Sequence, residues 1–137
     1  RFGSDEAPKY VSWSRQNRSQ LVRLPSATGE FCRLELRSPD PAANPYLAFA
    51  VMLAAGLAGI EEGLELAPFT DAADAHEARS LPRNLGEAIE LFEASDLMQR
   101  TLGEHIHRYL VDAKREEWGA YQSSVSQWER DRYLAVL

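Results

Sequence analysis

The sequence predicts an α+β fold, with short antiparallel strands in the first 40 residues and a helical C-terminal half. Three observations carry this expectation. Before residue 40, apolar and polar residues alternate in short runs, the period of half-buried strands. From Tyr46 onward, large apolar residues recur at intervals of three and four, which is helical spacing. The two kinds of pattern come as blocks, not in alternation, and this argues against a parallel sheet wrapped by helices. With 137 residues, 45% hydrophobic and 26% charged, the chain can bury a core, so a disordered tail or a collagen-like repeat is excluded. It is short for a complete multi-substrate enzyme, and one domain or a piece of a larger one is expected.

The elements follow in order. Val11-Ser12-Trp13-Ser14 and Gln20-Leu21-Val22-Arg23-Leu24 read as short strands, and the run from Phe31 to Arg37 alternates most cleanly. Ser26-Ala27-Thr28-Gly29 between the last two is a hairpin-turn signal. Tyr46, Phe49, Leu53, Leu57 and Ile60 share one face of a helix spanning 44–62, capped by Asn44 with Pro45 at its first position, and this is expected to be a core helix. Residues 63–82, with Pro68 and Pro82 and no apolar period, read as a surface loop. Helices fill residues 83–137: Asn84 pairs with Glu87 to cap one, a second runs from Ser95 through Tyr121, and Ser126 with Glu129 caps a last one. On the second, Leu102, Ile106, Tyr109, Leu110 and Ala113 keep helical spacing.

Charge narrows the function. A net charge of −6 and a pI near 5.1 disfavour nucleic-acid binding, which needs a cationic surface to displace counterions. The charge is uneven, with seven basic against five acidic residues among the first 40, and eight against sixteen in the rest. No apolar run is long enough to span a bilayer, so no membrane role is expected. One cysteine, Cys32, cannot form an internal disulfide, and no charged-then-apolar leader precedes the first elements; both fit a reducing, cytoplasmic setting. Because the chain starts at Arg1 and not Met, a boundary inside a longer protein is expected.

The alternation Arg33-Leu34-Glu35-Leu36-Arg37 places Arg, Glu and Arg on one strand face, about 7 Å apart in sequence order. A carboxylate flanked by guanidiniums stays ionised. Such a face can offer a divalent cation an oxygen through Glu35 while the arginines neutralise phosphate or carboxylate oxygens. A solvated face of cross-strand ion pairs, each worth little, is the commoner origin of such a pattern. Arg18 and Arg23 on adjoining elements shift the balance toward a recognition site.

Taken together, Asn17-Arg18-Ser19, Val22-Arg23-Leu24-Pro25 and Arg33-Leu34-Glu35-Leu36-Arg37-Ser38-Pro39-Asp40-Pro41-Ala42-Ala43-Asn44-Pro45-Tyr46-Leu47 resemble the C-terminal part of the catalytic domain of bacterial type I glutamine synthetases. Asp5-Glu6-Ala7-Pro8 resembles the family's flap, and Leu102-Gly103-Glu104-His105-Ile106 and Trp128-Glu129-Arg130 extend the likeness over essentially the whole chain, apart from residues 65–80. The resemblance implies an enzyme that joins glutamate and ammonia at the expense of ATP through a γ-glutamyl phosphate. It also implies two divalent metals, Mg2+ or Mn2+, and a homo-oligomer, a dodecamer of two hexameric rings. Carried over, Glu35 is similar to a ligand of one metal, and Arg37 to the group that binds glutamate and the transferring phosphoryl. Arg18, Arg23 and Arg33 are similar to nucleotide-side arginines, Arg18 counting as substrate-binding too. Glu6 is similar to the flap glutamate that closes over glutamate and helps deprotonate ammonium.

Other residues carry less. Arg1 lies one residue too close to Glu6 to match the family's arginine before the flap, and the loop before Leu81-Pro82 contains no tyrosine to match an adenylylation site, so regulation by adenylylation is not expected. His76, His105 and His107 lack ligand grouping; Trp13, Trp118 and Trp128 read as core or interface anchors; Cys32 shares the Leu34 face and reads as a small buried hydrophobe. The expectation is the C-terminal segment of a glutamine synthetase, inactive alone because it holds a single candidate metal carboxylate. Two rivals stand beside it: a related γ-glutamyl ligase that takes a polyamine or ethanolamine, and a non-catalytic helical interaction module. Retention of Glu35 together with Arg37 speaks against the last.

Overall fold

The computed structural model describes residues 7–26, 28–68, 78–134 and 136. Its elements run in the expected order, three short strands and then helices: β1 (Trp13–Ser14), β2 (Val22–Arg23), a 3-10 turn (Gly29–Phe31), β3 (Glu35–Leu36), α1 (Pro45–Glu61), α2 (Leu85–Glu93), α3 (Asp96–Ser123) and α4 (Gln127–Tyr133). The class is α+β. The chain divides into two compact units, Arg1–Arg83 and Asn84–Leu137.

In the first unit the strands form a sheet of order β1-β2-β3. β2 and β3 are antiparallel, with Val22 opposite Leu36 and Arg23 opposite Glu35. β1 and β2, expected antiparallel, run parallel, with Trp13 opposite Val22 and Ser14 opposite Arg23. A parallel return ordinarily needs a long crossover. Here each strand is two residues long, so the loop of residues 15–21 has little length to retrace. The third strand is shorter than the alternation from Phe31 suggested, because Gly29, at φ 64°, starts the 3-10 turn that occupies its first position. Cys32 is exposed, as is Leu34, which corrects the expectation of a buried thiol: that side of the segment meets no cover among the described residues.

The expected loop at 63–82 carries structure at its far end. Tyr10 and Ser80 form an antiparallel bridge, Val11 N donates to Arg79 O at 2.7 Å, and Leu81 N donates to Lys9 O at 2.8 Å. Residues 64–68 are exposed without regular structure, and Ala67 O accepts from Trp13 Nε1 at 2.7 Å.

α1 begins as its sequence dictates. Asn44 Oδ1 accepts from Tyr46 N at 3.0 Å and from Leu47 N at 3.4 Å, and Pro45 occupies the first turn, where no donor is lost. Its large apolar residues are nevertheless exposed, Tyr46 by 83% and Ile60 by 78%, with Phe49, Leu53 and Leu57 between them, and no residue of the helix is buried. The core position expected for this face is not supplied among the described residues.

In the second unit α2 packs on α3. Asn84 Oδ1 accepts from Glu87 N at 2.9 Å to cap α2, and Ser126 with Glu129 closes a full capping box on α4. α3 differs from expectation. Gly103, at φ 75° and ψ 157°, breaks it inside its span. The break turns the buried stripe, which is Leu102, His107 and Val111, whereas Ile106 and Tyr109 are exposed. His107 has a packing role: its ring stacks on Phe92 with centroids 5.0 Å apart, and Nε2 lies 3.1 Å from the Phe92 carbonyl. Among the described residues no helix is long and apolar enough to cross a membrane.

Candidate functional site

The site assembles on the β2–β3 pair. Placing Arg23 opposite Glu35 across the ladder puts the two side chains on one face, and Arg23 Nη1 donates to Glu35 Oε2 at 2.7 Å. Alternation along the chain places Arg33 and Arg37 on that face too. Arg33 Nη2 lies 3.6 Å from Glu35 Oε1, and Arg37 Nη1 lies 3.8 Å from Glu35 Oε2. Three guanidiniums therefore surround one carboxylate whose side chain is 28% exposed.

Electrostatics follow from this geometry. The hydrogen bond from Arg23 is the main reason that the Glu35 carboxyl titrates below the ordinary carboxylate range; partial burial pushes the other way, and the charges of Arg23, Arg33 and Arg37 add to the lowering. Glu35 is thus an anion at neutral pH, and the cluster as a whole is cationic. Arg23 carries a second mark: its Nε is buried with no acceptor among the described residues, a rare state for a donor in a folded chain.

Arg18 joins the cluster through its backbone. Its carbonyl accepts from Arg37 Nε at 2.7 Å, and Arg37 N donates to Leu21 O at 2.9 Å, so Arg37 is tied twice to the loop between β1 and β2. Of the residues predicted from sequence, Arg23, Arg33, Glu35 and Arg37 come together and Arg18 borders them. Glu6 lies outside the described residues. The supports of the loop, Ser12, Ser14 and Gln20, were not singled out from sequence, and Asn17 was read only as part of the Asn17-Arg18-Ser19 motif; its Asn-x-Ser spacing is the signal that could have marked the turn.

The arrangement suits an anion with several oxygens, since guanidiniums present paired donors to phosphate and carboxylate. For a divalent cation it is one ligand of a set. Glu35 is ionised and partly exposed, but among the described residues no group of three or more His, Cys, Asp or Glu could hold a metal. Hard cations of this kind take about six oxygens, so the others must come from phosphate or from residues outside the cluster. An open concavity of about 550 Å³ on α3, lined by Glu104, His105, Arg108, Tyr109 and Asp112, holds none of the predicted site residues.

The family model described as glutamine synthetase, catalytic domain, matches residues 1–133. Curated relatives include glutamine synthetases of Methanosarcina mazei, 45% identical over 96% of this chain and 32% of its own length, of Halobacterium salinarum, 45% identical over 94% and 30%, and of Thermus thermophilus, 43% identical over 96% and 31%. The chain spans about a third of the length of these relatives. Among solved structures, Plasmodium falciparum glutamine synthetase superposes with a TM-score of 0.76 at 18% identity, covering 95% of this chain and 35% of that one, a likeness of fold. The match of residues 1–133 to the catalytic-domain model, together with these relatives, establishes that this chain belongs to the glutamine synthetase family, as part of its catalytic domain.

Proposed function

We propose that this chain supplies one wall of the active site of an ATP-dependent glutamate–ammonia ligase. The observation that carries the reading is the Glu35 carboxylate held among Arg23, Arg33 and Arg37. In this reaction a γ-carboxylate oxygen of glutamate attacks the terminal phosphorus of ATP, releasing ADP and forming γ-glutamyl phosphate. Ammonia then attacks the acyl carbon and expels phosphate. Catalysis of the first step rests on positioning and on neutralising the phosphoryl oxygens. Arg37, fixed by two hydrogen bonds to the neighbouring loop, binds glutamate and the transferring phosphoryl. Arg23 and Arg33 hold the nucleotide phosphates with Arg18, and Glu6 takes the proton that ammonium loses. Glu35 offers one oxygen to a divalent cation, Mg2+ or Mn2+, which when bound draws charge from the phosphate oxygens.

The full-length protein is read as a cytoplasmic homo-oligomer, a dodecamer of two hexameric rings, using glutamate, ammonia and ATP. The test is made in that protein. Glu35→Ala should abolish glutamine formation while the subunit stays folded, and near-normal turnover in that variant would sink the site assignment. Arg37→Ala should raise the KM for glutamate or depress kcat strongly; a change confined to thermal stability would return the cluster to a surface ion-pair network. Assaying the wild-type protein with ammonia against ethanolamine or a polyamine reads the acceptor.

A further inference from the structure

We infer that Asn17 is a positioning residue for this reaction, acting on Arg37 through the backbone carbonyl of Arg18; the inference rests on the functional reading above. Arg37 is long and flexible, and its guanidinium must meet developing charge at one place, so whatever fixes its Nε sets the geometry of the reaction. That fixed point is Arg18 O, 2.7 Å away. A carbonyl has no freedom of its own. Its direction is set by the turn it belongs to.

Asn17 builds that turn. Its Oδ1 accepts from Ser19 N at 2.9 Å and from Ser19 Oγ at 2.8 Å, closing a side-chain turn around Arg18. The backbone of Asn17 is itself tied down, since Ser14 Oγ donates to Asn17 O at 3.1 Å. Beneath the turn, the Gln20 side chain is almost wholly buried, accepting from Ser12 Oγ and donating through Nε2 to Ser19 Oγ at 3.4 Å. A connected line of hydrogen bonds thus runs from Ser12 through Gln20 and Ser19 to Asn17, whose chain neighbour Arg18 carries the carbonyl that holds Arg37. Among the described residues the Asn17 side chain hydrogen-bonds to Ser19 and not to the arginine cluster itself. Its contribution passes through Arg18 O and is lost when Oδ1 is lost.

The experiment uses the full-length protein with kcat and KM for glutamate and ATP, and a thermal melt, measured for each variant. Asn17→Ala should lower kcat/KM about ten- to hundred-fold, the scale of an ångström-level misplacement of a reacting group, with a melting temperature close to wild type. Asn17→Asp keeps an oxygen that accepts from Ser19 N and Oγ and should restore most of the rate; failure of the aspartate to rescue while the alanine variant is impaired would overturn the inference. In an Arg37→Lys background, which retains the charge but lacks Nε, Asn17→Ala should cost little more, because the linkage it serves is already gone. A full additional loss there would show that Asn17 acts by another route. Ser19→Ala, which removes one of the two hydrogen bonds to Oδ1, should fall between wild type and Asn17→Ala, and keeps the test open if Asn17→Ala does not fold. Arg37→Ala separates the two levels of the argument. If it leaves the kinetics untouched, the functional reading fails; if it is crippled while Asn17→Ala behaves as wild type, only the positioning inference falls.

Discussion

The Glu35 carboxyl is the residue on which the site's charge turns. Its pKa in the folded chain is held below the ordinary 4.5, so the stability it contributes is complete above that ordinary value and is lost as pH falls through the lowered one. The stability difference between wild type and Glu35→Gln should therefore stay constant from pH 8 to about pH 5 and shrink below about 4.5; thermal melts of the two proteins across that range check it. A difference that first moves near pH 7 would mean that another group is being titrated. The Glu35 environment was legible in the sequence where it depends on alternation, which put Arg33, Glu35 and Arg37 on one face. Arg23 required the cross-strand register, which two-residue strands do not announce. The role of the Arg18 carbonyl was not legible at all, because a main-chain acceptor is independent of side-chain identity.

Among the elements, two glycines are required for opposite reasons. A Cβ at Gly86 would lie 2.7 Å from Trp118 Nε1 and 3.0 Å from its Cε2, so α2 would have to move off α3 or the indole turn away. Gly86→Ala should cost about 1–3 kcal/mol by overpacking, read as a lowered melting temperature. At Gly103 a Cβ would meet nothing within 4 Å, but φ 75° with ψ 157° is strained for any L side chain. Gly103→Ala should cost about 1–3 kcal/mol through the backbone alone, and a compensating truncation nearby should not recover it, whereas shortening Trp118 should relieve Gly86→Ala. The helix starts at Asn44, Asn84 and Ser126 could be read directly because capping is local chemistry. The break at Gly103 could not, since the apolar residues on either side continue a helical period and only the turned stripe of Leu102, His107 and Val111 reveals it. The bridge between Tyr10 and Ser80 was equally hidden, as it joins segments seventy residues apart.

At the scale of the whole molecule, the exposed face of α1 is a feature the chain does not cover with its described residues. Five large apolar side chains from Tyr46 to Ile60 stand uncovered on one helix, a surface of the kind that marks an interface. Produced as these 137 residues, the protein should bind an apolar dye strongly and self-associate. With ATP, magnesium, glutamate and ammonia it should release no phosphate, because the cluster supplies a single oxygen ligand; measurable glutamine would contradict this. The three tryptophans give each part of the chain its own optical signal. Trp13 is hydrogen-bonded to Ala67 O, Trp118 packs against Gly86 and stacks on Tyr121 at 5.4 Å, and Trp128 is 67% exposed. Variants retaining only Trp13 or only Trp118 would each report one of the two units by its own fluorescence. The strand layer of the first unit and the helical pair of the second can thus be followed one at a time as the chain unfolds.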